Sequence, residues 1–502
     1  MNKTSKTGYG SQDSVGGNGT ESPFEPMDRT GVKRYHLKTI LIAGMGFFTD
    51  AYDLFVIGVI AAMFSFFLPF PVPNTIFTFP LAGKVAAVTG IELISSAAIF
   101  GAAIGPFIFG RLGDLLGRKT VYGLEMLILV FGAIASSLSW SFASLVIFRF
   151  ILGLGIGGDY PMSATIMSEY SNVRSRGKLI GTVFAMQGFG LIAGIILGIG
   201  LLAAIPTSLN LVWRLLLLAG AIPAISVYYF RRRMPETPRF TYLVKRDSEA
   251  ASKVISELTG KQPARETTGV SQAKGKEGSY FTLLSAYLPL VFGTALSWFL
   301  FDISFYGTSI YTPTLLNSLS LIYSPGLSHV QHLLVAEEYT AVVDILFTIP
   351  GYWIAVATID RVGRKTLQTV GFSVMAVAFA VLGFYPSLIA LGIPFVGIYG
   401  LTFLFGNIGP NTTTFVIPSE CFPTRFRGTG HGIAAGSGKL GAALSTLTFG
   451  TLILVLHDSG MMLLLSFIAF IGVLVTLFLI KETKQVTLEE ASEEWSAPAV
   501  TE

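Results

Sequence analysis

The chain reads as an all-α integral membrane protein: twelve transmembrane helices in two pseudo-symmetric six-helix bundles. Three observations carry that fold class. First, 52% of the 502 residues are hydrophobic and only 13% are charged, about half the ~25% charge of soluble proteins. Second, twelve apolar stretches approach the ~20 residues that a spanning helix needs. Third, two motifs recur in the same order in the second half. A soluble globule could not bury this much apolar surface, and mean hydropathy is +0.65. Soluble enzymes, nucleic-acid-binding domains and disordered chains are therefore excluded. The 55 Gly agree, because Gly is frequent in membrane helices.

The spans are read at 38–66, 86–109, 120–139, 142–164, 177–204, 211–230, 284–312, 337–358, 367–387, 391–414, 430–455 and 459–480. Breakers separate them: Pro69, Pro71 and Pro73; Pro206; Pro235 and Pro238; Pro386; Pro418 and Pro423. The expected organisation has five parts. Residues 1–36, polar and rich in Gly and Ser, form a disordered tail without a cleavable signal. Residues 37–230 form the first bundle, 231–282 a polar central loop, 283–482 the second bundle and 483–502 a second tail.

Lys and Arg concentrate on one side. They occur in the N-terminal segment (Lys3, Lys6, Arg29, Lys33, Arg34, Lys38), after span 2 (Arg111, Arg118, Lys119) and after span 4 (Arg174, Arg176, Lys178). They recur in the central loop from Arg231 onward, after spans 8 and 10, and at Lys481 and Lys484. The other side holds Lys84 and the edge residue Arg214. The positive-inside rule then makes both termini and the central loop cytoplasmic.

The repeats are specific. Gly113-Asp114-Leu115-Leu116-Gly117-Arg118-Lys119 is matched by Ile359-Asp360-Arg361-Val362-Gly363-Arg364-Lys365. Glu169, Arg174, Arg176 and Gly177 are matched, at equal spacing, by Glu420, Arg425, Arg427 and Gly428. Acid and base recur together, so a latch between helix ends is expected on the cytoplasmic side. Asp114, Arg118, Glu169 and Arg176 are expected in one latch, and Asp360, Arg364, Glu420 and Arg427 in its second copy. Two six-helix halves with this loop signature resemble the major facilitator superfamily, whose substrate sites lie between the halves near the midplane.

Ionisable residues within spans are functional candidates: Asp50, Asp53, Glu92, Glu125, Arg149, Asp159, Asp302, Asp344 and Lys439. Arg149 needs a partner in the membrane. In span 7, Trp298, Asp302 and Tyr306 stand at i, i+4 and i+8 and share one helix face. An indole donor, a carboxylate and a phenol there make a polar stripe on an apolar helix. The glycines at 153–158 sit mid-span with no preceding strand, so they read as close helix packing rather than a dinucleotide loop. Gln187, Asn411 and Lys439 add polar groups to spans 5, 10 and 11.

Several strings sharpen the resemblance: Gly46 to Phe55 with Asp50 and Asp53, Gly157 to Tyr170 with Asp159 and Tyr160, and Val183 to Gly188. With the Trp298/Asp302/Tyr306 stripe, Gly409-Pro410-Asn411 and Gly438-Lys439, they are similar to the phosphate:proton symporter family, from about residue 38 to 482. That resemblance implies a phosphate pocket lined by Tyr160, Gln187, Trp298, Asp302, Tyr306, Asn411 and Lys439. It associates Asp50, Asp53 and Asp159, with Asp302, with proton movement. The N-terminal tail and the loops after spans 1 and 7 do not carry it.

The chemistry is consistent. Tyr160, Gln187, Trp298, Tyr306 and Asn411 supply neutral donors for a tetrahedral oxyanion, and Lys439 supplies a cation. An ionised Asp302 would repel the anion, whereas a protonated one would donate to it. A proton should thus travel with phosphate. The expected function is proton-coupled import of inorganic phosphate by alternating access, at the plasma membrane. The expected partners are phosphate, protons and the lipid bilayer, with no nucleic acid, no cofactor and no metal, and a monomer suffices. A facilitator for an organic acid and a phosphate-sensing transceptor are the alternatives. Paired glutamines of sugar carriers are absent from span 7. No catalytic constellation is read, because His36, His329, His332, His431 and His457 are scattered over loops and span edges. A single cysteine, Cys421, excludes intramolecular disulfides.

Overall fold

The structure is a computed structural model and describes residues 22–81, 83–262, 280–317 and 326–494. The expectations placed on 1–21, 263–279 and 495–502 lie outside the described residues.

Among the described residues, twelve helices match the twelve apolar stretches. The first bundle has α1 (Arg34–Phe64), α2 (Gly90–Leu116), α3 (Arg118–Ser137), α4 (Phe142–Tyr170), α5 (Arg176–Ala204) and α6 (Leu209–Arg231). The second has α7 (Leu288–Asn317), α8 (His329–Val362), α9 (Arg364–Phe384) and α10 (Ile393–Cys421). One helical run, Arg427–Leu479, then breaks at His457, where φ is +61°. Its two parts, α11 (427–456) and α12 (458–479), are the last two spans.

Local chemistry explains the boundaries. Thr89 caps α2: its hydroxyl accepts from the Glu92 N–H at 3.3 Å, and Glu92 accepts from the Thr89 N–H at 2.7 Å, a reciprocal capping box. Ser141 and Ser144 do the same for α4. Gly117 and Gly363 make the corners between α2 and α3 and between α8 and α9, with φ of +101° and +105°. Only Gly takes that backbone without strain, which is why the two repeats share it.

Three differences from the sequence reading have physical causes. Residues 22–36, read as disordered, hold a short helix (Glu25–Asp28) because Phe24 and Met27 find buried positions, with the Phe24 ring 5.6 Å from Tyr242. The loop after α1 contains a hairpin, β1 (Phe77–Leu81) and β2 (Lys84–Val88), paired from Phe77 opposite Val88 to Leu81 opposite Lys84. Finally, α8 starts eight residues earlier than read, because Ser328 and Gln331 form a capping box ahead of the apolar stretch. In addition, α8 and α10 each contain a π-turn, at Asp344–Thr348 and Asn407–Asn411.

The two bundles meet along α2 with α11, α5 with α8, and α1 with α7. Glycines let α2 and α11 approach: a Cβ on Gly110, Gly428 or Gly432 would collide with backbone of the facing helix. Small residues at helix contacts are the usual means of close packing in membranes.

Candidate functional site

The centre of the molecule is built by α4, α7 and α11. The stripe on α7 faces α11, and the Lys439 ammonium lies 2.9 Å from an Asp302 carboxylate oxygen. The same ammonium lies 4.4 Å from the Tyr306 ring centroid, 4.5 Å from Tyr160 and 5.9 Å from Trp298. Tyr160, Trp298, Asp302, Tyr306 and Lys439 are all buried. The structure thus brings these five together as an aromatic box around an ion pair. Cation–π attraction of this kind holds an ammonium without neutralising it.

Of the other two pocket candidates, Asn411 is linked to the box through Tyr352, which lies in the field of Tyr306 and Asp302. The Asn411 amide, in the π-turn of α10, donates to the Tyr352 hydroxyl at 2.7 Å and to Asn407 at 2.6 Å. Among the described residues Gln187 on α5 makes no hydrogen bond to Lys439 or Asp302, and its amide nitrogen is buried without a partner. The Trp298 indole nitrogen and one Asp302 oxygen are also buried without a hydrogen-bond partner. A buried donor left unpaired costs about 1–3 kcal/mol. An unpaired indole donor 5.9 Å from the Lys439 ammonium, measured to the ring centroid, therefore suits a ligand rich in acceptors.

Sequence reasoning missed two residues here. Tyr352 ties Asn411 to the box. His431, read as peripheral, is buried in α11; its ring is 5.6 Å from Trp298 and its Nε2 lies 3.1 Å from the Phe415 carbonyl. Its position in an apolar run of α11 was the available signal.

A second cluster lies in the first bundle. Arg231 was read as the first residue of the central loop. Instead it ends α6 inside the bundle, 2.6 Å from Asp159 and 3.2 Å from Glu125, over the Tyr122 ring at 4.0 Å. Ser163 also donates to Asp159, at 2.5 Å. Asp159, expected as a proton carrier, is therefore an ion-paired group. Asp50 faces it, and neither Asp50 oxygen meets a donor. Arg149 finds its partner in the Asp53 backbone carbonyl at 2.9 Å, while the Asp53 carboxylate has no hydrogen-bond partner among the described residues.

At the end bearing the basic loops, the latch residues all meet, but the two sets exchange an arginine. Glu169 binds Arg118 of its own half and Arg427 of the other, both at 3.1 Å. Glu420 binds Arg364 of its own half at 2.7 Å and Arg176 of the other at 2.8 Å. Arg118 also lies 3.2 Å from Asp114, and Arg364 lies 2.9 Å from Asp360. The reading that kept Arg176 with Glu169 and Arg427 with Glu420 is corrected. A latch between halves needs its cation on the opposite half, at the first residue of a facing helix.

The sequence reading also missed Thr237 and Thr483, whose hydroxyls donate to Glu169 and Glu420 respectively. Glu482 accepts from the Arg364 and Lys365 N–H groups at 3.0 and 3.1 Å. Glu236 lies at the equivalent place beside Gly117. The signal was present: Glu236-Thr237 recurs as Glu482-Thr483, with the same separation as Asp114 from Asp360.

The tails reinforce this end. Arg239 lies 2.6 Å from Asp28 and 2.8 Å from Glu489, joining the N-terminal segment, central loop and C-terminal segment. Burial raises the Asp28 carboxyl despite Arg239. Burial also opposes ionisation of Glu489, but Arg239 outweighs it and holds that carboxyl below its usual range.

The opposite end is open. A cavity of about 970 Å³ enters between the halves, lined by Ala62, Phe66, Glu92, His329, Thr451 and Asp458 among others. Glu92 there accepts from the Thr451 N–H and hydroxyl, at 2.9 and 3.0 Å. The arrangement is a chain of charged bonds shutting one end, an open funnel at the other and a buried aromatic box around an ion pair between.

Residues 39–495 match the family model described as sugar (and other) transporter. Curated relatives include inorganic phosphate transporter 1-4 of Arabidopsis thaliana, 39% identical over 92% of this chain and 93% of its own length. Low affinity inorganic phosphate transporter 1 of Petunia hybrida is 37% identical over 93% of this chain and 94% of its own. Among solved structures, the proton:xylose symporter XylE superposes with a TM-score of 0.76 at 21% identity, covering 92% of this chain and 99% of that one. The human organic anion transporter MFSD10 gives 0.60 at 15% identity, over 88% and 100%. These structures are similar in fold.

Proposed function

The chain belongs to the sugar (and other) transporter family of the major facilitator superfamily, with inorganic phosphate transporters among its relatives; on that premise we propose that it moves inorganic phosphate across the membrane together with protons, by alternating access. The carrying observation is the Lys439–Asp302 pair, 2.9 Å apart, inside the Tyr160, Trp298 and Tyr306 box, with the Trp298 indole nitrogen unpaired among the described residues. The names of the curated relatives support phosphate as the substrate.

In this reading phosphate enters by the funnel and takes its bonds from Lys439, the Trp298 indole, Gln187, Asn411 and the hydroxyls of Tyr160 and Tyr306. An ionised Asp302 already satisfies Lys439 and repels an anion. Protonation of Asp302 frees the ammonium for phosphate. When that proton leaves at the far side, Asp302 recaptures Lys439 and the anion loses its cation. The ion pair and the phosphate complex are thus competing states of one lysine, and the proton selects between them.

The two bundles, 37–230 and 283–482, are the halves that rock, and the latch is the closed gate of the outward-facing state. The basic loops favour a cytoplasmic latch and cytoplasmic termini. A plasma membrane supplies the inward proton gradient. Asp50 and Asp53, buried without donors, are the proton-carrying candidates in the first bundle, with Asp159 held by Arg231. A monomer contains every residue of the pocket.

The test is uptake of labelled phosphate into proteoliposomes, with and without an acid-outside gradient, in the presence of sulfate or a sugar. Gradient-dependent accumulation unaffected by either competitor is expected. Binding without accumulation would favour a sensor, and no response to phosphate would overturn the assignment.

A further inference from the structure

A small cavity between α1, α5, α7 and α8 carries two acids that the scheme above does not use. Glu337 and Asp344 stand seven residues apart on α8, two turns along one face, and both line it. Both are buried, and among the described residues both Glu337 oxygens lack a hydrogen-bond partner. Asp344 accepts from Thr348 at 2.7 Å. The remaining polar lining is Ser309, Thr312 and Thr340, and the Ser309 hydroxyl is also unpartnered. The titratable neighbours are Tyr352 and Tyr399, both in the field of Asp344. Among the described residues no lysine, arginine or histidine pairs with either acid. The free space is about 20 Å³, room for a single water-sized particle.

Position gives the pair its meaning. Gly58 and Ile310 line both this cavity and the large funnel. Phe55 walls the cavity and stacks on Tyr306 of the central box, with ring centroids 5.2 Å apart. The acids therefore stand beside the route from the funnel to Lys439. Two bare carboxylates in a low-dielectric cavity repel each other and any incoming anion. The side-chain polar groups of this otherwise apolar lining are all oxygens, the ligand type a hard cation takes.

We propose that Glu337 and Asp344 form a second coupling site that must hold one monovalent cation, a proton or Na⁺, before the anion passes to Lys439. The site gives the second bundle its own coupling ion, apart from the Asp50 and Asp53 region of the first. The coupling to phosphate rests on the function proposed above; cation binding does not.

Two measurements separate them. On the purified full chain, ²²Na⁺ binding and the infrared band of protonated carboxyls are recorded for wild type, Glu337→Gln, Asp344→Asn and the double variant. In proteoliposomes, the charge moved per phosphate is read from the reversal potential. Sodium bound by wild type and lost in Glu337→Gln identifies Na⁺. No sodium, but a carboxyl band that disappears in the double variant, identifies a proton. In either case the positive charge per phosphate should fall by about one in the double variant, while phosphate exchange at equal concentrations persists and shows that the protein is folded. Absence of both sodium binding and the carboxyl band overturns the site. An unchanged charge ratio overturns the coupling. Wild type that moves no phosphate defeats the earlier reading, and the binding measurements still decide this one.

Discussion

Asp114 and Asp360, one in each half, make the same bond across the interface. Asp114 accepts from the Gly428 and Thr429 N–H groups at 3.0 and 2.7 Å. Asp360 accepts from the Gly177 and Lys178 N–H groups at 3.0 and 2.8 Å. Each carboxylate thus caps the first turn of a helix belonging to the other half, where a negative charge is favoured by the helix dipole. When the halves part at this end, these four charge-assisted backbone bonds are lost together, and with them the one Asp114 accepts from the Thr429 hydroxyl at 2.7 Å.

Removing one cap should therefore bias the molecule toward opening at the latched end. Hydrogen bonds to charged groups contribute about 1.5–3 kcal/mol, so Asp114→Ala should shift the equilibrium by roughly 30-fold. Amide hydrogen exchange at Gly428 and Thr429 should rise accordingly. Asp360→Ala should act in the same direction at Gly177 and Lys178, but less, because its side chain is 15% exposed against 1% for Asp114. Equal protection in variant and wild type would show that the caps do not hold the gate.

The exchange of arginines gives a second expectation. A double-mutant cycle between Glu169 and Arg427 should return a coupling of about 2 kcal/mol, within the 0.5–3 kcal/mol seen for contacting residues. The cycle between Glu169 and Arg176, which share a half, should return close to zero. Thermal unfolding in detergent supplies both numbers.

Lys439 and Asp302 should separate stability from binding. Breaking a buried pair from one side costs about 3–5 kcal/mol, whereas replacing both partners is often near neutral. Lys439→Met alone should therefore lower the melting temperature sharply. Lys439→Met with Asp302→Asn should recover most of that loss and still bind no phosphate. A double variant that binds phosphate would remove Lys439 from the site.

The tail clasp carries a pH dependence. Glu489 ionises more readily in the folded protein than its usual value of 4.5. Its contribution is present above that value and fades as pH falls below it toward the depressed folded value. Asp28, raised by burial, runs the other way and blunts the effect. Exchange at Leu488–Ala491, taken relative to the intrinsic amide rate at each pH, should accelerate as pH drops below about 4.5, the ordinary carboxyl value. In Glu489→Gln it should be fast throughout.

Much of this arrangement was legible in the residues. The i, i+4, i+8 stripe at Trp298, Asp302 and Tyr306 named its own face, and Lys439 was the one lysine deep in an apolar run. Repeated motifs named the latch. What escaped depended on tertiary pairing. Nothing local distinguishes Arg231 from Arg232 and Arg233, yet only Arg231 turns inward, because Asp159 and Glu125 await it. The arginine exchange follows from how the halves face each other, which the order of motifs does not encode. Glu337 escaped because α8 begins one capping box earlier than its apolar run.

The central claim is that one proton on Asp302 decides whether Lys439 holds phosphate. The most direct test compares two assays on Asp302→Asn in proteoliposomes: phosphate exchange at equal concentrations and accumulation driven by an acid-outside gradient. The neutral amide mimics the protonated state, so exchange should persist while accumulation is abolished. Accumulation at the wild-type level would contradict the account and move the coupling proton elsewhere.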